Sequence, residues 1–249
     1  MITAPAPFKK TSFSEHKLSL LDETKIPKHI ALIPDGNRRW ASTQKQTRET
    51  GHTRGADIIL DITKAARDLG VKYLTLFTFS TENWLRPKDE VNALMILLKH
   101  YLISQREPMI ENGVRFQTIG DLSQFSDEIL KEIVITKEIT KKSEAITLTL
   151  ALNYGGRNDL TRAFQKMIEK GYQRVTEEII ASHLDTADMP DPDLLIRTSG
   201  ESRLSNFLLF QLSYTEFYTT KTYWPDFNGE DLLDAILDFQ QRDRRLGRK

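Results

Sequence analysis

Apolar and polar positions along this chain fall into two alternating kinds of block. Short apolar runs rich in β-branched or aromatic residues occupy residues 30–33, 73–79, 114–119, 146–152 and 194–196. Runs of this length predict strands buried on both faces. Between them the apolar positions recur at helical spacing. Residues 55–69 place Ile58, Ile59, Ile62, Ala65, Ala66 and Leu69 on one face. Pro87 suits a first helical position, and Val91, Leu94, Met95, Leu98 and Leu102 follow at three- and four-residue steps. Ser126 is the expected N-cap, with Phe125 as staple, of a helix carrying Ile129, Ile133 and Ile139. Residues 159–168, 176–183 and 230–244 complete the helices, with a short one expected within 13–21.

Strand–helix alternation at this spacing implies right-handed βαβ units. The fold class is therefore α/β, a single domain with a mostly parallel central sheet and helices on both faces. Ligands in such folds sit beyond the carboxyl ends of the strands. No linker, repeat or low-complexity segment divides the chain. Residues 1–26 read as a polar leader and 27–249 as the domain.

Composition narrows the function. Lys+Arg and Asp+Glu both number 35, and 39% of the 249 residues are hydrophobic, as in an ordinary globular protein. The charge balance argues against a nucleic-acid binder, which needs a basic surplus. With no cysteine, a disulfide framework, a thiolate zinc site and a cysteine nucleophile are excluded. The first residues hold no continuous apolar core, so no secretory signal is expected. The most apolar stretch, 91–103, is broken by Asn92, Lys99 and His100, so no membrane span is expected either.

Three strand ends carry chemistry. The first reads HIALIPDGNRRWA from His29, where four apolar residues give way to Asp35, Gly36, Asn37, Arg38, Arg39 and Trp40. Gly36 permits a tight turn, the following amides can face an anion, the arginines add charge, and Asp35 can hold Mg²⁺ against phosphate oxygens. The second, TFSTENWLRP from Thr78, sets Ser80, Thr81, Glu82, Asn83, Trp84 and Arg86 together. The third, DLLIRTSGESRLSN from Asp193, flanks a Ser- and Gly-rich turn with Arg197 and Arg203, beside Leu204 and Ser205. Guanidinium groups grip diphosphate oxygens in pairs, so two such cradles suggest two phosphorylated substrates.

Other features read as structure. The acidic run Glu230-Asp231-Leu232-Leu233-Asp234 suits the first turn of a helix, and His16, His100 and His183 lack partners at metal-ligand spacing. Asp188, Asp191 and Asp193 read as a loop, and Tyr154-Gly155-Gly156-Arg157 as a tight βα turn.

These motifs, with Gly51-His52, NYGGR, IRTSGESRLSNFLLFQ, YTEFY and WPDF in order, resemble the cis-prenyltransferases of the undecaprenyl diphosphate synthase type, from about residue 27 to 247. The resemblance implies a hydrophobic tunnel inside the sheet-and-helix frame. It also implies repeated condensation of isopentenyl diphosphate onto an allylic diphosphate, farnesyl diphosphate by the family's habit. Carried over by position, Asp35 is the Mg²⁺-linked carboxylate and Glu216 a second one, supplied by a partner subunit. Gly36, Asn37, Arg38, Arg39, Trp40, Arg48 and His52 surround the allylic diphosphate. Asn83 stands where proton removal is placed, amid Ser80, Thr81, Glu82, Trp84 and Arg86. Arg197, Arg203 and Ser205 would bind isopentenyl diphosphate, with Leu204 also among the substrate-binding residues. Arg38 replaces the family's usual glycine and Ser202 its frequent histidine. Arg245-Leu246-Gly247 matches an RxG ending that reaches toward a partner's site, so a homodimer is expected. The long product is destined for a membrane, which places the protein in the cytoplasm or at a membrane surface. A shorter product and a non-catalytic partner subunit stay open as alternatives.

Overall fold

The computed structural model describes residues 11–244, so Arg245-Leu246-Gly247 lies outside them. The expected strands form as β1 (His29–Ile33), β2 (Tyr73–Ser80), β3 (Val114–Ile119), β4 (Ile146–Tyr154) and β5 (Leu194–Arg197). A sixth, β6 (Glu216–Thr219), is not signalled by the pattern. Its four residues alternate between half-buried and exposed, because it forms the sheet edge beside β5. The sheet order is β3-β4-β2-β1-β5-β6, and every pairing is parallel. From β1 the chain adds β2, β3 and β4 on one side, with β4 inserted between β2 and the edge strand β3, then crosses to β5 on the other. The carboxyl end of β1 thus faces the topological switch point, where open α/β sheets take ligands.

The helices are α1 (Glu15–Leu18), α2 (Asn37–Thr43), α3 (Arg48–Asp57), α4 (Ile59–Asp68), α5 (Lys88–Ser104), α6 (Arg106–Glu111), α7 (Asp127–Thr140), α8 (Gly156–Glu169), α9 (Glu177–Ala181) and α10 (Gly229–Gln240). All five β1 residues are buried. Ile30 and Leu32 join a core shared with Leu74, Leu148 and the inner faces of α4, α5, α7 and α10. Ala31 and Ile33 face the opposite layer, with Ala151, Leu195, Phe207 and Leu208. Period-two placement of apolar residues between two layers explains why the strands read as unbroken apolar runs.

Residues 55–69, expected as one helix, belong to two. Helix α3 starts at Arg48, and Ile58 separates it from α4. The early start escapes a periodicity reading because Arg48–Asp57 is polar and packs through glycine. A Cβ at Gly51 would lie 2.3 Å from Asn37 O, and one at Gly55 would lie 2.9 Å from Trp224 Cδ1. The Trp224 indole donates to Gly55 O (2.7 Å), a carbonyl in the last turn of α3 close to where the two helices part. Helix α10 stops at Gln240, short of the expected 244. Beyond it Arg242 donates to Glu216 Oε2 (2.9 Å) and Arg244 to Asp193 Oδ1 (3.1 Å). The segment before β1 lies on the domain: Thr11 N donates to Asp68 Oδ2 (2.6 Å), Asp22 N to Gln240 Oε1 (3.0 Å), and Phe13, Leu21 and Ile26 pack on the core.

Candidate active site

Gly36 caps α2 with φ +107°, and a Cβ there would lie 2.9 Å from both Ser199 Oγ and Tyr223 Cδ1. Backbone conformation and crowding both select glycine at the point where β1 turns into a helix. Asp35 is pinned to the end of β5, since Thr198 Oγ1 accepts from Asp35 N and donates to Asp35 O, each at 2.7 Å. Its carboxylate accepts from Arg197 Nη2 (2.9 Å) and Arg39 Nη2 (3.1 Å), with Arg203 Nη2 at 4.0 Å. Burial opposes ionisation of Asp35, but Arg197 first and Arg39 next hold its carboxyl below the usual carboxylate range. Asp35 is therefore charged at neutral pH.

Arg197 is 5% exposed and also donates to Ser205 Oγ (2.9 Å) and the Arg203 carbonyl. Glu201 bridges Arg39 (2.8 Å) and Arg203. A second charged group centres on Glu90, a buried carboxylate of α5 that pairs with Arg38 and with Arg86 (3.0 Å). Asn37 Nδ2 approaches His52 Nδ1 at 3.5 Å, and His52 Nε2 stands 3.6 Å from Glu90 Oε1. Burial, then the Arg86 charge, push the His52 pKa down despite Glu90, so the ring is neutral at pH 7.

A bulge in β2 shapes the neighbouring wall. Phe77 pairs with Ala151 and Phe79 with Leu152, leaving Thr78 as the extra residue, whose hydroxyl donates to Ala151 O (3.0 Å). Past it, Asn83 Oδ1 accepts from Ser80 N (3.1 Å) and closes the turn Thr81–Leu85. The Trp84 indole packs edge-on against Phe79 and Phe125 and donates to Asn153 Oδ1 (2.9 Å).

These strand ends enclose a cavity of about 390 Å³ lined by Asp35, Gly36, Asn37, Arg38, Arg39 and His52, and across from them by Ser80, Asn83, Arg86, Arg197 and Ser205. Among the described residues, the buried atoms Asn37 Oδ1, His52 Nε2 and Arg197 Nε of this lining lack hydrogen-bond partners. Unpaired polar atoms beside clustered guanidinium groups suit an anionic ligand with many oxygens. An apolar cavity of about 120 Å³ shares Pro34, Asn37, His52, Phe77, Thr78 and Leu94 with it and runs between α5 and the sheet to Tyr101, Leu150 and Leu152.

The remaining expected site residues lie elsewhere. Arg203 and Leu204 line an adjoining cavity of about 180 Å³ with Arg197, Glu201, Ser202 and Phe217. Trp40 Nε1 donates to Asp226 Oδ1 (2.7 Å), Arg48 is exposed at the start of α3, and Glu82 accepts from Asn206 Nδ2 (3.1 Å). Thr81, like Glu82 and Trp84, belongs to the turn rather than to the cavity lining. Glu216 pairs with Leu194, whereas Thr219 pairs with Arg197, so Glu216 sits about 10 Å back along the sheet from the Asp35 end. Among the described residues no group of three or more His, Cys, Asp or Glu is arranged to hold a metal ion. A single charged carboxylate among arginines fits Mg²⁺ bound largely through substrate oxygens, the usual manner of that ion. Glu90 escapes a sequence reading because it looks like a first-turn helix acid. Its spacing four residues after Arg86 is the available signal.

Comparison with known proteins gives the same direction. Residues 33–247 match the Prenyltransf family model, that of undecaprenyl diphosphate synthase. The chain belongs to this family. An isoprenyl transferase of Clostridium perfringens is 50% identical over 246 residues, covering 96% of this chain and 97% of that one. A ditrans,polycis-undecaprenyl-diphosphate synthase of Micrococcus luteus, specific for (2E,6E)-farnesyl diphosphate, is 48% identical, covering 91% and 94%. Among solved structures, lavandulyl diphosphate synthase of Lavandula x intermedia in complex with dimethylallyl diphosphate matches with TM-score 0.85 and 37% identity, covering 90% of this chain and 98% of that one. A probable undecaprenyl diphosphate synthase of Campylobacter jejuni matches with TM-score 0.76 and 35% identity, covering 89% and 99%.

Proposed function

We propose that this cis-prenyltransferase adds isopentenyl units repeatedly to an allylic diphosphate, farnesyl diphosphate first, and makes undecaprenyl diphosphate. The observation that carries the reading is the continuity of the arginine-lined cavity with the apolar one. One takes diphosphate groups and the other takes hydrocarbon. Residues 27–249 form the catalytic domain in this reading, with 1–26 as its leader.

Asp35 with the substrate's diphosphate oxygens would hold Mg²⁺, and Glu216 of a second copy would complete the set. When bound, the ion supplies Lewis-acid stabilisation of the departing diphosphate. Arg38, Arg39 and Arg86 line the same cavity and stabilise the negative charge that grows as the allylic carbon–oxygen bond breaks. Arg197, Arg203 and Ser205 orient isopentenyl diphosphate so that its terminal alkene carbon bonds to the allylic carbon. A proton then leaves the adjacent carbon. Asn83 Oδ1 already accepts from Ser80 N, and an amide is a poor base, so a diphosphate oxygen takes the proton while Asn83 orients the reacting carbons. The apolar wall of Leu94, Met95, Leu98 and Leu150 excludes water from the reacting centre.

The small size of the apolar cavity favours a second reading, a shorter product. Both cradles are intact, which a non-catalytic subunit would not need. Among the described residues no helix is long and apolar enough to cross a membrane, so a membrane-bound product would be handed over at the surface. Purified protein with Mg²⁺, farnesyl diphosphate and labelled isopentenyl diphosphate tests the proposal, with product length read by chromatography. No incorporation sinks it, and a short product selects the second reading.

A further inference from the structure

Two asparagines outside the proposed reacting groups hold the turn that carries Asn83. Asn153, with φ +48°, is buried, accepts from Trp84 Nε1 (2.9 Å) and donates to Asp121 O (2.7 Å). Asn206, with φ +66°, donates from Nδ2 to Glu82 Oε1 (3.1 Å). Its Oδ1 accepts from Arg157 N (3.0 Å) and its carbonyl from Gly156 N (2.6 Å). Only Asn206 also adjoins the other cradle. Its neighbour Ser205 has φ +51° and accepts from Arg197 Nη1 (2.9 Å), while Arg197 Nη2 holds Asp35. Two consecutive non-glycine residues in the left-handed region are uncommon and strained, and persist only where the surroundings impose them. The three bonds of Asn206 impose them here.

We infer that Asn206 is a positioning residue that couples the two diphosphate cradles. It sets the backbone that aims Ser205 at Arg197, and it ties that backbone to the Glu82–Asn83 turn, which ends at Arg86, paired through Glu90 with Arg38 of the first cradle. Ordering either side therefore orders the other, and filling one cradle strengthens binding in the second. The inference rests on the two-substrate reading of the site.

The test measures binding rather than turnover. The Kd of isopentenyl diphosphate is titrated on the full chain with Mg²⁺, with and without an unreactive farnesyl diphosphate analogue carrying sulfur at the ester position. The ratio of the two Kd values is the coupling, expected near tenfold, within the usual range for linked sites. Asn206→Asp keeps the acceptor for Arg157 N but sets a second carboxylate against Glu82, and should bring the ratio to about one. Adding Glu82→Gln restores a donor–acceptor pair with its polarity reversed and should return most of the coupling. Glu82→Gln alone, which can still accept from Asn206, is the fourth corner of the cycle. Asn206→Gly suits φ +66° and removes the side chain without backbone strain, so it decides the matter if Asn206→Asp does not fold. A merely structural role would weaken each ligand alone and leave the ratio unchanged. A wild-type ratio of one, an unchanged ratio in Asn206→Asp and Asn206→Gly, or no rescue by Glu82→Gln each overturns the coupling. Failure of the wild type to bind either diphosphate overturns instead the reading of the site beneath it.

Discussion

Replacing Asp35 by Asn should change diphosphate affinity in opposite directions with and without Mg²⁺. The carboxylate now neutralises Arg197 (2.9 Å) and Arg39 (3.1 Å), and it is negatively charged because those guanidinium groups outweigh its burial. Without the metal it repels an incoming diphosphate and occupies the donors that ligand needs. Two unit charges about 5 Å apart at an effective dielectric near 20 interact by roughly 3 kcal/mol. The side chain is 26% exposed, and solvent screening lowers this to about 1–2 kcal/mol. Asp35→Asn should therefore bind inorganic diphosphate about 5- to 30-fold more tightly in chelator. With Mg²⁺ the order inverts, since the amide cannot supply the anionic ligand, and affinity should fall. Turnover with Mg²⁺ should drop at least about 100-fold. Calorimetric titration in both conditions and single-turnover incorporation of labelled isopentenyl diphosphate measure these effects. Affinity changes of the same sign in both conditions, or turnover within about threefold of wild type, would falsify the metal role.

Two further outcomes follow from the geometry and a third from the family resemblance. Burial lowers the His29 pKa to about 4 against the Pro190 carbonyl and Asp193, and its ring bridges Pro190 O (2.7 Å) and Thr75 Oγ1 (2.8 Å). Because the folded pKa lies below the ordinary value near 6.5, its contribution is complete above that pH and lost as pH falls toward 4. About 2–3 kcal/mol should disappear between pH 7.5 and 4.5 in urea titrations, beyond the loss shown by His29→Phe; equal losses refute it. Gly36→Ala should cost about 2–4 kcal/mol, from φ +107° and the 2.9 Å approaches to Ser199 and Tyr223, and a denaturation midpoint matching wild type would contradict that. Truncation after Asp243 should abolish incorporation while circular dichroism stays close to wild type, whereas full turnover by the truncated chain would refute a role for the RxG end.

Five strands and the first strand-end turn were legible in the sequence because doubly covered strands leave unbroken apolar runs. Strand β6 was not, since an edge strand with alternating exposure offers no such run. Helix α3 was hidden for the opposite reason: Gly51 and Gly55 pack by the absence of side chains, which no apolar stripe records. Arginines at Arg38, Arg39, Arg86 and Arg197 announced an anion site, and the fold brings them to one cavity. The carboxylates that bridge them, Glu90 between Arg38 and Arg86 and Glu201 between Arg39 and Arg203, were not singled out, because nothing in a lone acid names its distant partners. Asn206 was silent because its role resides in a backbone angle and in bonds to residues far along the chain.

The pairing of Asp35 with Arg197 joins residues 162 positions apart through neighbouring strands β1 and β5. No fragment lacking any part of residues 35–197 contains both halves of the site, and closing so long a loop is a slow step in folding. Incorporation of isopentenyl units during refolding should therefore appear only when β5 docks, after helical signal has recovered. Activity in this molecule is a late clock for the completed sheet.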